Sequence, residues 1–330
     1  MTRAYFSDSL KKISSKSRAE ASMSKLKFSV IIPTCHRLDL LARCLESLAP
    51  GAQLADFNSY EVIVTDDARG ETAEAMMRAQ FPWAQWRQGP SRGPAANRNN
   101  GAHHATGEWL CFTDDDCAAS RQWLSALVEA TGDPSIDLIE GQTTVPDKPD
   151  NPFLHGIANT KGGIFWTCNL AVRRERFIEL GGFDEDFLEA AAEDMEFAHR
   201  FHSHHFHSKF YPDALVYHPV RRVGWRTLWN RLLMIRWSAL YAYKVDEGLH
   251  LSDSPAKNVL RAFRDTILNH LRRTLREIRR WNAPYWKDRW FTCALRWVTF
   301  PVILPYYLCW VYRFHRQLTA KQPGVATQAG

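Results

Sequence analysis

The chain predicts an α/β fold on a largely parallel sheet, and three features carry that expectation. Strand-like apolar runs at Phe28 to Ile32, Glu61 to Thr65 and Trp109 to Thr113 alternate with helical patterns at Leu38 to Leu48, Thr72 to Gln80 and Ala95 to Ala105. Alternation of this kind calls for right-handed crossovers between parallel neighbours, and ligands of such open sheets bind beyond the strands' carboxyl ends. The second strand ends in Asp66 and Asp67, the third in Asp114, Asp115 and Asp116. Carboxylates gathered at strand ends pack poorly but suit a hard divalent cation, which takes oxygen ligands and can hold a diphosphate. The competing reading of the triplet is a solvated turn, where aspartate is common.

Farther along, Arg121 to Thr131 reads as a helix, Ile136 to Val145 as a strand, and PDKPDNP (Pro146 to Pro152) as a turn-rich break. A short strand is expected over residues 168–172, then a helix from Arg174 to Leu180 stopped by Gly181 and Gly182. Glu193 to His202 reads as a helix, Ala214 to Tyr217 as a strand and Val223 to Tyr243 as one more helix. After a polar break from Asp246 to Pro255 come a long basic helix and an aromatic, apolar end, with no internal repeat or heptad array.

With 330 residues, 45% of them apolar, the chain can bury one large core, or one core plus a smaller appendage. Its charge is unevenly divided. Residues 256–330 carry 14 Lys/Arg against 3 Asp/Glu, whereas the preceding 255 carry 28 against 33. Such asymmetry points to an anionic partner for the C-terminal part, a membrane or a nucleic acid. The seven cysteines form no C-x-x-C pair and have no finger spacing, which fits buried thiols in a reducing cytosol. Residues 1–26 are Ser- and Lys-rich without the apolar stretch of a secretory signal and read as a flexible arm; Asp8 and Glu20 argue against an organellar transit peptide.

Four segments flank the acidic triplet in a telling order: FSVIIPTCHR (Phe28 to Arg37), YEVIVTDDA (Tyr60 to Ala68), GPAANRNNGAHHATGEW (Gly93 to Trp109) and GGFDEDFLEAAAEDMEFAHR (Gly181 to Arg200). Together they resemble the family 2 glycosyltransferases of the GT-A fold over about residues 27–220. The resemblance implies a Rossmann-like catalytic domain over 27–222, followed by a helical basic and aromatic region over 223–330. It also implies inverting, Mn²⁺- or Mg²⁺-dependent transfer of a sugar from a nucleotide-sugar donor to a hydroxyl of a glycan or lipid-linked glycan.

Asp67, at the end of the second strand, is placed to accept hydrogen bonds from a nucleobase or ribose; its alternative is to cap the helix that follows. By resemblance, Pro33 and Thr34 supply backbone around the base, and Arg37 belongs to the same donor site. Arg98, just before the acidic strand, pairs with the donor or holds the aspartates, unless it is an ordinary surface arginine. The triplet maps on the family's DxD signature: Asp116 is the direct metal ligand, Asp114 a second, and Asp114 or Asp115 contacts the ribose or a metal-bound water. The ED motif makes Asp194 the catalytic base, at a helix start whose dipole favours an ionised carboxylate. Glu193 is its neighbour on the acceptor side, and either residue could be a simple cap. His218 completes the metal shell by the same analogy.

In KGGIFWTCN, Gly162 and Gly163 precede Phe165 and Trp166; flat aromatic faces suit sugar C–H surfaces, so the segment is assigned to the acceptor side, with a core-facing pair as the alternative. The histidines 199, 202, 204, 205 and 207 lack a carboxylate or thiolate at a fixed second spacing and read as a polar helix end rather than a zinc site.

A sugar nucleotidylyltransferase would share the sheet but open with a Gly-rich G-x-G-x-R loop where this chain has PTCHR. Walker and dinucleotide-binding glycine patterns are absent. A nucleic-acid-binding protein would use the basic tail and its tryptophans, but it leaves the ordered motifs unexplained, so no nucleic-acid partner is expected. Residues Trp297 to Tyr312 are 16 uncharged residues between Arg296 and Arg313, with Pro301 and Pro305 inside. They fall short of the roughly 20 that a simple span needs. A shallow or re-entrant anchor within 285–315 is therefore expected, aided by the arginines at 261, 264, 272, 273, 276, 279 and 280, and holding the protein peripherally on the cytoplasmic face of a membrane. The alternative is an aromatic helix pair packed on the catalytic domain or in a homodimer interface.

Overall fold

The computed structural model describes residues 27–145, 154–279 and 286–321; the expected arm over 1–26 and the PDKPDNP break lie outside them. The strands are β1 (Phe28–Thr34), β2 (Tyr60–Asp66), β3 (Gln85–Gln88), β4 (Trp109–Phe112), β5 (Ala118–Ala119), β6 (Leu138–Thr144), β7 (Leu154–His155), β8 (Leu170–Arg173), β9 (Ser208–Tyr217) and β10 (Arg221–Arg222). Eight of them form one sheet in the order β3-β2-β1-β4-β8-β6-β9-β5, while β7 and β10 make a small antiparallel pair.

Strand β1 is parallel to both β2 and β4, with Phe28 opposite Tyr60 and Trp109. It is buried along its whole length, as a central parallel strand covered on both faces must be. Strand β8 inserts antiparallel between β4 and β6, and β9 returns parallel to β6. Every sheet strand except β8 and β5 therefore runs the same way, in agreement with the mostly parallel sheet that the sequence predicts.

Helices α1 (Leu38–Leu48), α2 (Glu74–Gln80), α3 (Pro94–His104), α4 (Trp123–Ala130), α5 (Arg174–Glu179) and α6 (Glu193–Ser203) flank this sheet. Successive β1 residues point to opposite faces. Val30 and Ile32 pack with Leu41 and Leu45 of α1 and Trp123 of α4. Ile31 joins Ala95 of α3 and Phe197 and Phe201 of α6. Helix α3 starts from Gly93, whose φ of +94° suits glycine, with Pro94 in the first turn. A Cβ at Gly93 would also collide with the carbonyl of Leu188, so the 184–192 loop presses directly on this helix start.

The C-terminal part consists of α7 (Trp225–Leu233), α8 (Ile235–Lys244), α9 (Pro255–Arg279) and α10 (Trp286–Lys321). The single helix expected over Val223 to Tyr243 is two, interrupted at Met234. The reason is packing: α7 buries no residue, whereas α8 turns Trp237, Leu240 and Tyr243 into a third core with Phe187, Val311, Phe314 and Leu318. Helix α10 runs unbroken through Pro301 and Pro305. Both prolines are exposed and one turn apart, so the carbonyls they free lie on the helix's outer face. The stretch Trp290–Lys321 is long and apolar enough to cross a membrane, and 17% of its most apolar window is buried.

Candidate active site

The acidic triplet leaves β4 at the sheet's carboxyl edge, and its three members have different surroundings. Asp115 is fully buried; it accepts a hydrogen bond from Thr34 Oγ1 at 2.7 Å and pairs with Arg37 Nη2 at 2.7 Å. Burial pushes its carboxyl up to about 6 despite these partners. Asp115 thus fastens the end of β1 to the triplet, and Thr34 and Arg37 are its partners. Asp114 is partly exposed and pairs with Arg98 Nη2 at 2.9 Å. Asp116 turns a buried carboxylate toward His218 Nε2, 3.7 Å away, and also touches Arg221.

The hydrogen bonding of His218 makes this pair informative. Its Nδ1 lies 2.9 Å from the carbonyl of Pro219, which can only accept, so Nδ1 carries the proton and Nε2 presents a lone pair. Burial lowers its pKa and favours the neutral ring. A neutral nitrogen lone pair therefore faces a carboxylate oxygen whose other neighbour is the Arg221 guanidinium. Asp116 and His218 fit a divalent cation, with Asp114 at the rim. Cys117 lies in the same group, its ligand atom within 4.8 Å of theirs. A hydrogen bond with Cys168, then burial, raises its thiol pKa. Among the described residues the histidine run 199–207 gathers no such group; His202 packs its ring against Phe165 instead.

Arg98 links the triplet to α6. Although it lies on a polar-looking helix it is only 3% exposed, and it bridges Asp114 and, through Nη1 at 3.1 Å, Glu193. Glu193, expected on the acceptor side, lies buried beneath Arg98; burial raises its pKa against the pull of the guanidinium. The neighbouring Asp194 is half-buried, within electrostatic reach of Asp114 and Arg98, and accepts the Met195 N–H at 2.8 Å. Burial raises its pKa, outweighing the amides at the helix start that were expected to keep it low. Arg98→Ala is expected to cost about 3–5 kcal/mol of stability in denaturant unfolding, because it strands two carboxylates without their counter-charge. An unchanged midpoint would mean that Glu193 is already neutral in the folded protein.

At the end of β2, Asp66 is buried and caps the chain at Ala68 and Ala73, whereas the half-buried Asp67 accepts from the amides of Ser91 (2.9 Å) and Gly93 (3.1 Å). Asp67 thereby holds the loop before α3 over the strand ends. Pro33 is the penultimate residue of β1, and the Thr34 carbonyl accepts the Asp67 N–H at 3.0 Å.

On the opposite side, Gly162 and Gly163 (φ +72° and +80°) turn the chain so that the amides of Gly163, Ile164 and Phe165 all donate to Glu140, at 2.7, 3.0 and 2.8 Å. Phe165 faces the core beside Phe201, and Trp166 is half-buried, so of the two aromatics only Trp166 keeps a partly open face. Sequence reasoning missed Glu140 and Arg221. An acid inside the strand β6, directly after Leu138 and Ile139, was the available signal for the first, and an arginine three residues after His218 for the second.

A curled, mostly parallel sheet with a carboxylate triplet at its edge defines a GT-A glycosyltransferase fold. Glycosyl transferase family 2 is the family whose profile matches residues 29–187. It is 27% identical over 218 residues to validoxylamine A glucosyltransferase of Streptomyces hygroscopicus subsp. jinggangensis, covering 53% of this chain and 51% of that one. A glycosyltransferase of Haemophilus influenzae is 30% identical over 183 residues (48% and 60%). The GalNAc(5)-diNAcBac-PP-undecaprenol beta-1,3-glucosyltransferase of Campylobacter jejuni is 32% identical over 112 residues (31% and 34%). The chain thus spans about a third to three fifths of the length of these relatives. Among solved structures, a mannosyltransferase from Pyrobaculum calidifontis in complex with GDP-Man and Mn²⁺ shares the fold at a TM-score of 0.53 and 17% identity, over 90% of this chain and 88% of that one.

Proposed function

We propose that the protein is an inverting, divalent-metal-dependent glycosyltransferase, and the observation that carries this reading is the His218 lone pair facing the Asp116 carboxylate. Asp116 and His218 hold the cation, with Asp114 at the rim, and the bound cation offsets the charge that grows on the departing nucleoside diphosphate. Asp67, with backbone from Pro33 and Thr34, receives the base and ribose, and Arg37 adds positive charge at the donor side. Asp194 takes the proton of the acceptor hydroxyl as its oxygen attacks the anomeric carbon and the bond to the diphosphate breaks; this single displacement inverts the centre. Trp166 and the Gly162–Gly163 turn border the acceptor.

Thermal shift and nucleoside diphosphate release over a panel of sugar nucleotides with Mn²⁺ test this reading. One nucleotide class should stabilise the protein in the presence of the cation and release its diphosphate with an acceptor. A panel without stabilisation or release would refute the assignment.

The C-terminal helices support a membrane-surface location on the cytoplasmic side. Leu260, Phe263, Leu271, Leu275 and Ile278 of α9 are exposed at helical spacing, with Arg272, Arg276 and Arg279 among them, and α10 exposes Val298 and Val302. The relative whose name includes an undecaprenol-linked substrate favours a lipid-linked acceptor here as well. The full chain is expected to co-sediment with anionic vesicles at low salt and to be released in part by high salt, and Leu271→Glu with Leu275→Glu should weaken binding. Equal binding to neutral and anionic vesicles would contradict the role of the arginines.

A further inference from the structure

We propose that the cleft between α7, α8, α9 and α10 binds the phosphate-bearing end of a long-chain lipid, the carrier of the acceptor sugar. This rests on the glycosyltransferase reading and names the class of its acceptor. The cleft is lined by Arg231, Arg273 and Arg296, contributed by three different helices, and by the apolar Phe300, Ile303 and Leu304. Of the arginines in these helices, Arg236 pairs with Glu189, Arg261 with Asp253 and Arg264 with Asp265, whereas the outward Arg272, Arg276 and Arg279 have no carboxylate partner among the described residues. Among the described residues the three lining arginines have none either.

Three arginines lining one cleft without a carboxylate partner leave a positive site that a phosphate would neutralise, since arginine's fork matches phosphate oxygens. His270 stands in the same cleft, its ring 4.4 Å from that of Trp297, and its Nε2 is buried without a hydrogen-bond partner. Burial, then Arg296 and Arg273, lower its pKa, as expected beside uncompensated positive charge. A free phosphate or nucleotide would leave the apolar wall unused, and a neutral lipid would leave the arginines unpaired; an amphiphile with a phosphate at one end uses both.

The position of the cleft fits a carrier. Helix α7 follows β10 closely, and Arg221 of β10 touches Asp116. On the other side, α9 and α10 carry the exposed Leu271, Leu275, Val298 and Val302. A lipid chain entering from that surface would bring its phosphate between the arginines and its sugar toward the triplet.

Farnesyl phosphate, farnesol and inorganic phosphate, each titrated calorimetrically into the full chain, test the proposal. Farnesyl phosphate should bind at least about tenfold more tightly than either of the others, and Arg273→Gln with Arg296→Gln should weaken it by about tenfold or more. Ser238→Phe, a neutral obstruction at an exposed position lining the cleft, should also weaken it. Stabilisation by donor and Mn²⁺ serves as the separate readout. Its loss in the unmodified protein would count against the glycosyltransferase reading, whereas normal donor stabilisation with farnesol binding as tightly as farnesyl phosphate, or with both variants binding like the unmodified chain, would overturn the cleft alone.

Discussion

Asp116→Ala is expected to reduce sugar transfer by roughly 10³-fold or more, the scale seen when a principal electrostatic stabiliser of a transition state is removed. The substitution leaves His218 alone as an inner ligand and sets the donor's diphosphate beside Asp114 and Asp115 without a firmly held cation. Stability should change little, because the relief of removing a buried carboxylate is set against the loss of its ion pair with Arg221. Turnover with Mn²⁺ and unfolding by circular dichroism are the paired measurements. Full activity of the variant in the presence of a chelator would remove the central claim.

The second large effect is expected at Asp194. Replacing it by Asn keeps its shape and its bond from the Met195 amide but removes the proposed proton acceptor, so transfer should slow by roughly 10²-fold or more while donor affinity survives. A base works in its ionised form, and burial raises the pKa of this one. The rate should therefore climb with pH through a limb displaced above the ordinary aspartate range, and that limb should vanish in the variant. Transfer and its acid limb unchanged would move the base elsewhere. Asp186 is then a poor substitute because Lys244 and Lys321 both pair with it, and Glu193 is held under Arg98.

Much of this was legible in the chain because burial writes itself into composition. Strand β1 is covered on both faces and so reads as an uninterrupted apolar run, and α1 places Leu41, Cys44, Leu45 and Leu48 on one side. The reversed direction of β8 was not legible, since LAVR is equally apolar read either way along the sheet. Nor was the break at Met234, which follows from where Phe187 and Val311 offer a surface for Trp237.

At the site, the residue types of the triplet were plain but their division of labour was not. That Asp115 is an anchor and Asp116 the outward pair with His218 depends on partners 81 residues away at Thr34 and on a carbonyl at Pro219. Glu140 was silent for the same reason: its partners are three backbone amides, which no side-chain pattern advertises. Arg98 looked like any helix arginine, and only the fold brings Asp114 and Glu193 to its two ends.

The last residues of α10 have a bearing on the chemistry that their distance from it conceals. Lys321 and Lys244 grip Asp186, Lys244 also grips Asp184, and Arg236 with the Trp237 indole holds Glu189. These acids belong to the stretch that delivers the chain into α6 through Ala192, a non-glycine residue at φ +69°, and the same stretch abuts the start of α3 at Gly93. The tail is thus a splint for the segment that aims Asp194. A chain cut near Ser254 would lose Val311, Phe314 and Leu318 from the face of Trp237 and Phe187, and Lys321 from Asp186. An inactive fragment of that kind would report a slackened base, and would say nothing about whether the enzyme needs a bilayer.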